Sequence, residues 1–247
     1  MPAVTFVGVD GLFDEVRAIK RPDEVELLGR AALATDRAIY DAFCGGRVGG
    51  SDKQIADALA QGILSTGADS VAFLVLGAGP NASLAHPYAA NLILREGDIV
   101  RCDVGGSYSG YYSDLARTAV VGRATPQQSE IYQKLWAIHE ETIAAARPGA
   151  RAKDVYLTCQ AAFERQGMRL NLPHVGHSLG LGLHEPPLLQ PLNETILTEG
   201  MVLAIEPACR LDGGPIFHTE DLVVLTADGN RILSRAADWS QLLVIGN

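Results

Sequence analysis

The first sustained helical periodicity opens at Lys20-Arg-Pro-Asp-Glu24. Pro22 has a backbone angle already suited to a first turn, and the acids beside it meet the free amides and the positive end of the helix dipole. Val25, Leu28, Ala32, Ile39 and Phe43 then fall along one face, and Gly45-Gly46 ends the run. Ser51 with Gln54 is a reciprocal capping signal for a second helix over roughly 52–65. A β-type run, Val71–Leu76, is followed by a loop, Gly77–Tyr88, that carries His86, and by a turn at Glu96-Gly-Asp98. Ile99–Val104 and Tyr111–Val121 read as two strands joined by the glycine-rich Gly105–Gly110. Residues 1–20 are mixed, with a short strand expected at the start.

The same order then recurs. Thr125-Pro-Gln-Gln128 is a capping box with Pro at the first helical position, predicting a helix to about Arg147 that Pro148-Gly149 breaks. A further helix over 152–166 ends at Gly167, and a loop carries His174, His177 and His184. Met201–Ala208 and His218–Leu225 are β-type, linked by Asp212-Gly-Gly-Pro215. Each half is thus helix, helix, histidine-bearing loop, hairpin, a repeat of architecture without a repeat of residues. The expected fold class is α+β: two pseudo-twofold-related α/β halves, with both hairpins in one central antiparallel sheet.

Composition narrows the function. The 247 residues are enough for one large domain or two small ones at ~100–200 residues each. A hydrophobic content of 47 % excludes a disordered chain. Lys and Arg number 20 against 29 Asp and Glu, net -9, so phosphate backbones repel the chain and no nucleic-acid partner is expected. No apolar run reaches the ~20 residues that span a bilayer. Met1-Pro-Ala-Val lacks the basic-then-apolar order of a signal peptide. The expectation is therefore no membrane partner and a cytoplasmic location. Cys44, Cys102, Cys159 and Cys209 form no CxxC and read as buried free thiols in a reducing compartment.

The hairpins hold acids where acids are expensive: Asp103 and Asp114 in the first, Glu206 and Glu220 in the second. Buried carboxylates must pair, protonate or bind a metal. A lone acid in a strand is more often an edge or turn residue, but matched pairs in matched hairpins point to ligands. Arginine partners are scarce, since only Arg101, Arg117 and Arg210 lie in or beside these strands. Four carboxylates carry about -4, which two divalent cations balance. Oxygen ligands plus one imidazole suit Mn, Co, Fe or Zn in pairs ~3.5–4 Å apart. Asp221 faces the other side of its strand by the period of two and reads as structural. His139, mid-helix, reads as a surface or satisfied residue. His177 and His184 lie in Gly176-His-Ser-Leu-Gly-Leu-Gly-Leu-His-Glu-Pro-Pro, which lacks HExxH; its glycines suit a loop that brings backbone close to a ligand.

Asp103-Val-Gly, Gly110-Tyr-Tyr-Ser-Asp114-Leu-Ala-Arg-Thr118, Gly176-His177, His184-Glu-Pro, Glu206-Pro and Glu220-Asp together resemble the pita-bread metallopeptidases: prolidase, aminopeptidase P, methionine aminopeptidase and creatinase. The resemblance runs from about Leu12 to the C-terminus. It implies a pita-bread fold, with residues 1–247 as a single catalytic domain lacking the N-terminal domain of prolidase-type relatives. It also implies a dinuclear centre on Asp103, Asp114, His177, Glu206 and Glu220. Asp114 and Glu220 bridge the metals, Asp103 completes one site, and His177 with Glu206 completes the other. The expected cofactors are two divalent ions, manganese first and Co, Fe or Zn as alternatives. Glu206 also moves protons, His184 polarises the scissile carbonyl, and His86 positions the substrate or assists the leaving group. Asp103-Val-Gly-Gly and Arg17-Ala-Ile-Lys-Arg-Pro-Asp-Glu24 resemble the Xaa-Pro branch. The implied activity is hydrolysis of an N-terminal amide bond in a small peptide, with Xaa-Pro first. Methionine aminopeptidase, a creatinase-like hydrolase or lyase acting on a non-peptide, and a non-catalytic peptide- or protein-binding homologue are the alternatives. A homodimer is the oligomer it allows. Three positions depart from the resembled pattern: Ser178 replaces a glycine, Pro173 a histidine with His174 beside it, and His218 an arginine.

Overall fold

A computed structural model describes residues 4, 6–9, 11–210 and 213–246. The strand expected at the start is not formed by the described residues 4 and 6–9, and Asp212 lies outside the described residues. After a short helix α1 (Leu12–Ala18), the predicted helices form almost residue for residue: α2 (Pro22–Cys44), α3 (Asp52–Ser65), α4 (Pro126–Ala145) and α5 (Ala152–Arg165). The reciprocal caps at Ser51/Gln54 and Thr125/Gln128 are both made. Helix α2 packs on α3, and α4 on α5.

In the first half, β1 (Ser70–Ala78), β2 (Ile99–Tyr108) and β4 (Leu115–Val121) lie antiparallel in that order. The pair β3 (Tyr111–Tyr112) sits on β2, and β12 (Leu243–Ile245) runs parallel to β4. In the second half, β5 (Gly176–Ser178), β6 (Glu185–Leu188), β7 (Val202–Ile205), β10 (Asp221–Thr226) and β11 (Gly229–Ile232) pair in the order β11-β10-β7-β5-β6. A ribbon, β8 (Ala208–Arg210) with β9 (Ile216–His218), completes the strands. The first half buries Phe43, Leu59, Leu76 and Val104 between its helices and strands; the second buries Leu135, Phe163, Leu203 and Val223. A smaller seam of Leu28, Ala32, Ala204 and Leu222 fixes α2 across the second sheet.

The two hairpins lie in separate hydrogen-bonded sheets that meet at the centre, rather than in one shared ladder, and their strands are less continuous than expected. The run Tyr111–Val121 breaks at Ser113-Asp114, Met201–Ala208 at Glu206-Pro207, and His218–Leu225 at Thr219-Glu220. Pro207 has no N–H for a ladder. At Ser113 the chain crosses to Gly106, whose carbonyl accepts from Ser113 N at 3.0 Å. This approach requires glycine at 105, where a Cβ would lie 2.0 Å from the Ser113 carbonyl oxygen. The expected Gly105–Gly110 link is accordingly mostly strand, and only Ser109-Gly110, both at positive φ, make the turn. The halves still meet at the centre. Glu220 N donates to the Ala116 carbonyl at 3.0 Å, and Thr118 Oγ1 donates to the His218 carbonyl at 2.9 Å.

One smaller expectation needs correction, and another is resolved between its two alternatives. Cys44 is exposed at the end of α2, while Cys102, Cys159 and Cys209 are buried free thiols. His139 is a satisfied helix residue, but of the core: Nε2 faces the Ile205 carbonyl at 3.1 Å, and Thr219 Oγ1 donates to Nδ1 at 2.7 Å. Burial lowers its pKa to about 4.

Candidate metal centre

Three of the four acids stand at the strand breaks, and Asp103 stands within β2. A carboxylate at a break is freed from the alternation of the ladder and can turn toward a common point. Asp103, Asp114 and Glu220 each offer an oxygen within 4.8 Å of the others. Asp114 also belongs to a second such group, with His177 and His184. His177 Nε2 lies 3.5 Å from Asp114 Oδ2 and 3.6 Å from Glu206 Oε1. Its Nδ1 donates to the Ser178 carbonyl at 2.9 Å, which leaves the Nε2 lone pair aimed inward. Gly176 is required just before it, because a Cβ there would come within 2.2 Å of the Ala204 carbonyl oxygen on β7.

The electrostatics are those of a cation site. Burial, then the neighbouring acids, push Asp114 and Glu220 well above the usual carboxylate range, and burial raises Asp103. Glu206 goes the other way: burial alone would raise it, but His174, His218 and His177 beside it outweigh burial and hold it low. Burial depresses His177 to about 4, so its imidazole is neutral and free to coordinate. Among the described residues, the buried side-chain polar atoms that make no well-formed hydrogen bond are both carboxylate oxygens of Glu220, His218 Nδ1, Arg101 Nε, and the pair Glu206 Oε1 and His174 Nδ1, which face each other at 3.3 Å. All belong to this one region. Buried polar atoms are normally satisfied, so a concentration of orphaned carboxylate oxygens and ring nitrogens fits divalent cations.

The centre forms part of the wall of a cavity of about 550 Å³. His86 and His184 face it from two loops, and Phe73, Val75, Leu172 and Ile216 supply an apolar side. The structure therefore brings together Asp103, Asp114, His177, Glu206 and Glu220, with His86 at the rim outside the clustered ligand atoms. His184 is exposed, yet its ring lies 4.1 Å from that of His177, closer to the ligand atoms than a purely substrate-side role requires. Asp221 is structural, as its strand phase predicts: it pairs with Arg117 and accepts from Ser234 and Arg235.

Sequence reasoning missed how three residues enter the site. His174 Nδ1 stands 3.3 Å from Glu206 Oε1, and His218 Nε2 stands 3.6 Å from Glu206 Oε2, so two of the departures flank a predicted ligand. Arg101 lines the cavity two residues before Asp103, a spacing that places both on one face of β2. The third departure, Ser178, is explained by Lys20, whose buried ammonium donates to the Ser178 hydroxyl at 3.0 Å and pairs with Glu185.

Residues 26–227 match metallopeptidase family M24, and the chain belongs to that family. The Xaa-Pro dipeptidase of Pyrococcus furiosus is 30% identical over 232 residues, covering 93% of this chain and 67% of that protein. The X-Pro aminopeptidase of Thermotoga maritima MSB8 superposes with a TM-score of 0.90 at 26% identity, covering 97% of this chain and 67% of the other. Dipeptidase PepE of Mycobacterium ulcerans superposes at 0.87 with 32% identity, covering 94% and 63%. The chain spans about two thirds of the length of these relatives. It is a metallopeptidase with the pita-bread fold.

Proposed function

We propose that the chain hydrolyses the amide bond before proline in small Xaa-Pro peptides, using two divalent cations. What supports this function is the convergence of Asp103, Asp114, His177, Glu206 and Glu220, with both Glu220 oxygens unpartnered, beside a cavity whose other side is apolar. Asp103, Asp114 and Glu220 would hold one cation; His177 and Glu206, with Asp114 and Glu220 shared between sites, would hold the other. The oxygen-rich donor set favours manganese, with Co, Fe or Zn as alternatives. When bound, such ions supply positive charge to the scissile carbonyl and lower the pKa of water toward neutrality.

The remaining work falls to side chains. Phe73, Val75, Leu172 and Ile216 exclude water from the proline ring. Glu206 takes the proton of the attacking water and returns it to the leaving nitrogen. His184 donates a hydrogen bond to the carbonyl oxygen as negative charge develops there, a contribution typically worth ~10²–10³ in turnover. His86, at the open rim, orients the leaving amine. The free thiols of Cys102, Cys159 and Cys209 suit catalysis in the reducing cytoplasm.

The test is a hydrolysis screen with Mn, Co, Fe and Zn over Xaa-Pro, Met-Xaa and non-peptide amide substrates, with metal stoichiometry measured on the same preparations. Xaa-Pro turnover that needs metal is expected. His177→Ala loses metal and turnover together, whereas His184→Ala keeps metal and loses ~10²–10³ of turnover. Preference for Met-Xaa or for a non-peptide amide would replace the Xaa-Pro reading. Equal metal loss in the two variants would make His184 a ligand, as its approach to Asp114 and His177 permits.

A further inference from the structure

Lys20, two residues before α2 begins, does not line the cavity, yet its side chain reaches the loop that carries His184. Its buried ammonium donates to the Ser178 hydroxyl at 3.0 Å and to Glu185 Oε2 at 3.2 Å. Those two residues are the ends of the loop 178–185. The other Glu185 oxygen accepts from Gly182 N at 2.8 Å, inside the same loop. The loop lies directly on the ion pair: a Cβ at Gly180 would come 3.1 Å from Glu185 Oε2 and 3.2 Å from Lys20 Cε. Lys20 is itself anchored, since its N–H donates to the Gly200 carbonyl at 2.9 Å. Four residues on, Glu24 accepts from the Tyr111 hydroxyl at 2.6 Å, and Tyr112 N donates to the Gly180 carbonyl at 2.9 Å. The entry to α2 thus holds the loop at both ends and, through β3, at its middle. The ladder does not do this, because β5 and β6 shift register between His177 and Ser178. Nor is stability a sufficient reason for the pair, since apolar side chains of similar volume are often as stable as a buried ion pair. What two buried charges that must meet do supply is a fixed arrangement of the segments that carry them.

We propose that Lys20 is a positioning residue for His184: by tying Ser178 to Glu185 it keeps the loop closed and the His184 ring beside that of His177, within reach of the scissile carbonyl. The part played at the carbonyl rests on the peptidase reading; the fixing of the loop does not. A donor aimed at developing charge works only from the right place, and a displacement of about 1 Å costs on the order of 10²-fold in rate. His184 has no regular strand or helix of its own to hold it there, as it sits one residue before β6. Without the ammonium, the Ser178 hydroxyl and the Glu185 carboxylate lose their common partner, and the segment between them is free to move away from the centre.

The competing role for the pair is general stability, and a double-mutant cycle separates the two. On manganese-loaded protein, kcat and KM for alanyl-proline are measured in wild type, K20M, H184A and K20M/H184A, with metal content and amide hydrogen exchange read on the same preparations. K20M is expected to lose about 10- to 100-fold in kcat, to change KM less than about 3-fold and to keep its metal. If Lys20 acts through His184, the double variant loses no more than about 3-fold beyond H184A alone. Amides 179–184 exchange faster in K20M while those of α4 and α5 do not. K20R, which keeps the cation, recovers part of both the rate and the protection. Should K20M fail to fold, Ser178→Ala and Tyr111→Phe each remove one tie of the loop and are expected to show the same pattern, with kcat lowered about 3- to 10-fold. Should alanyl-proline not be turned over, the Xaa-Pro reading falls, and the exchange of 179–184 alone decides whether Lys20 fixes the loop. Wild-type kcat in K20M, losses that multiply with those of H184A, or exchange at 179–184 that is unchanged or quickens equally throughout the molecule overturns the proposal and leaves the pair a matter of stability.

Discussion

Arg117 has no exposed surface, and its guanidinium is matched by the carboxylates of Asp36 at 2.7 Å and Asp221 at 2.8 Å. It also donates to the backbone carbonyls of Ala116 and Glu220, and so grips the chain on both sides of the meeting of the two halves. Arg117→Met fills a similar volume but leaves two buried acids without their cation, which typically costs ~3–5 kcal/mol. Chemical denaturation of chelator-treated protein is expected to show that loss, and a change below ~1 kcal/mol would mean the acids find other partners. Part of this network was legible in the sequence. Arg117 was marked by its place beside the acids, and Asp221 was separated from Glu220 by strand phase alone. Asp36 was not legible, because nothing local in the middle of a long amphipathic helix announces a partner 81 positions later. Arg101 and His218 lay open in the same way: their positions in the strands were visible, but whether a buried charge is satisfied depends on what the rest of the chain brings to it.

At the scale of elements, what reads well is what is local. Thr125 accepts from Gln128 N at 3.2 Å, and the Gln128 side chain returns to Thr125 N at 2.8 Å, the reciprocal pair that the four residues predict. Because the Thr125 hydroxyl satisfies one of the free amides of α4, Thr125→Ala is expected to cost ~1 kcal/mol. Thermal unfolding would register it as a small fall in Tm with metal content unchanged; no fall would assign the cap to Gln128 alone. The strands read less well, for a physical reason. The acids of the centre interrupt the ladders that periodicity presents as continuous, since Asp114, Glu206 and Glu220 must leave the pleat to converge. A β-type run marks where a strand is affordable, and the break within it is set by a neighbour from another part of the chain, as Ser113 is by Gly105 and Gly106.

For the molecule as a whole, the centre is a source of instability that its cations are expected to relieve. Asp103, Asp114 and Glu220 all have their pKa values raised by burial first, with neighbouring acids adding to it at Asp114 and Glu220. A carboxyl whose folded pKa exceeds its unfolded value, about 4, keeps its proton in the fold after the unfolded chain has released it. Unfolding then releases protons, so each such group lowers stability progressively as pH rises from the unfolded value through the folded one. His139 opposes this: depressed to about 4 by burial, it contributes stability that is present above its unfolded pKa and lost as pH falls toward 4. Absolute stability against pH therefore mixes two opposite slopes. The difference between metal-loaded and chelator-treated protein does not, because His139 is common to both states. Bound cations stabilise the charged forms of Asp103, Asp114 and Glu220 and cancel their penalty, while Glu206 is already held charged by the histidines beside it, and the cations' own binding adds to stability by mass action. The gap in Tm between manganese-loaded and chelated protein is expected to widen steadily from about pH 5 to pH 8. It is measured by paired melting curves across that range, with salt held constant. A gap that stays flat with pH, or closes as pH rises, would show that the acids are already charged and compensated in the fold without metal.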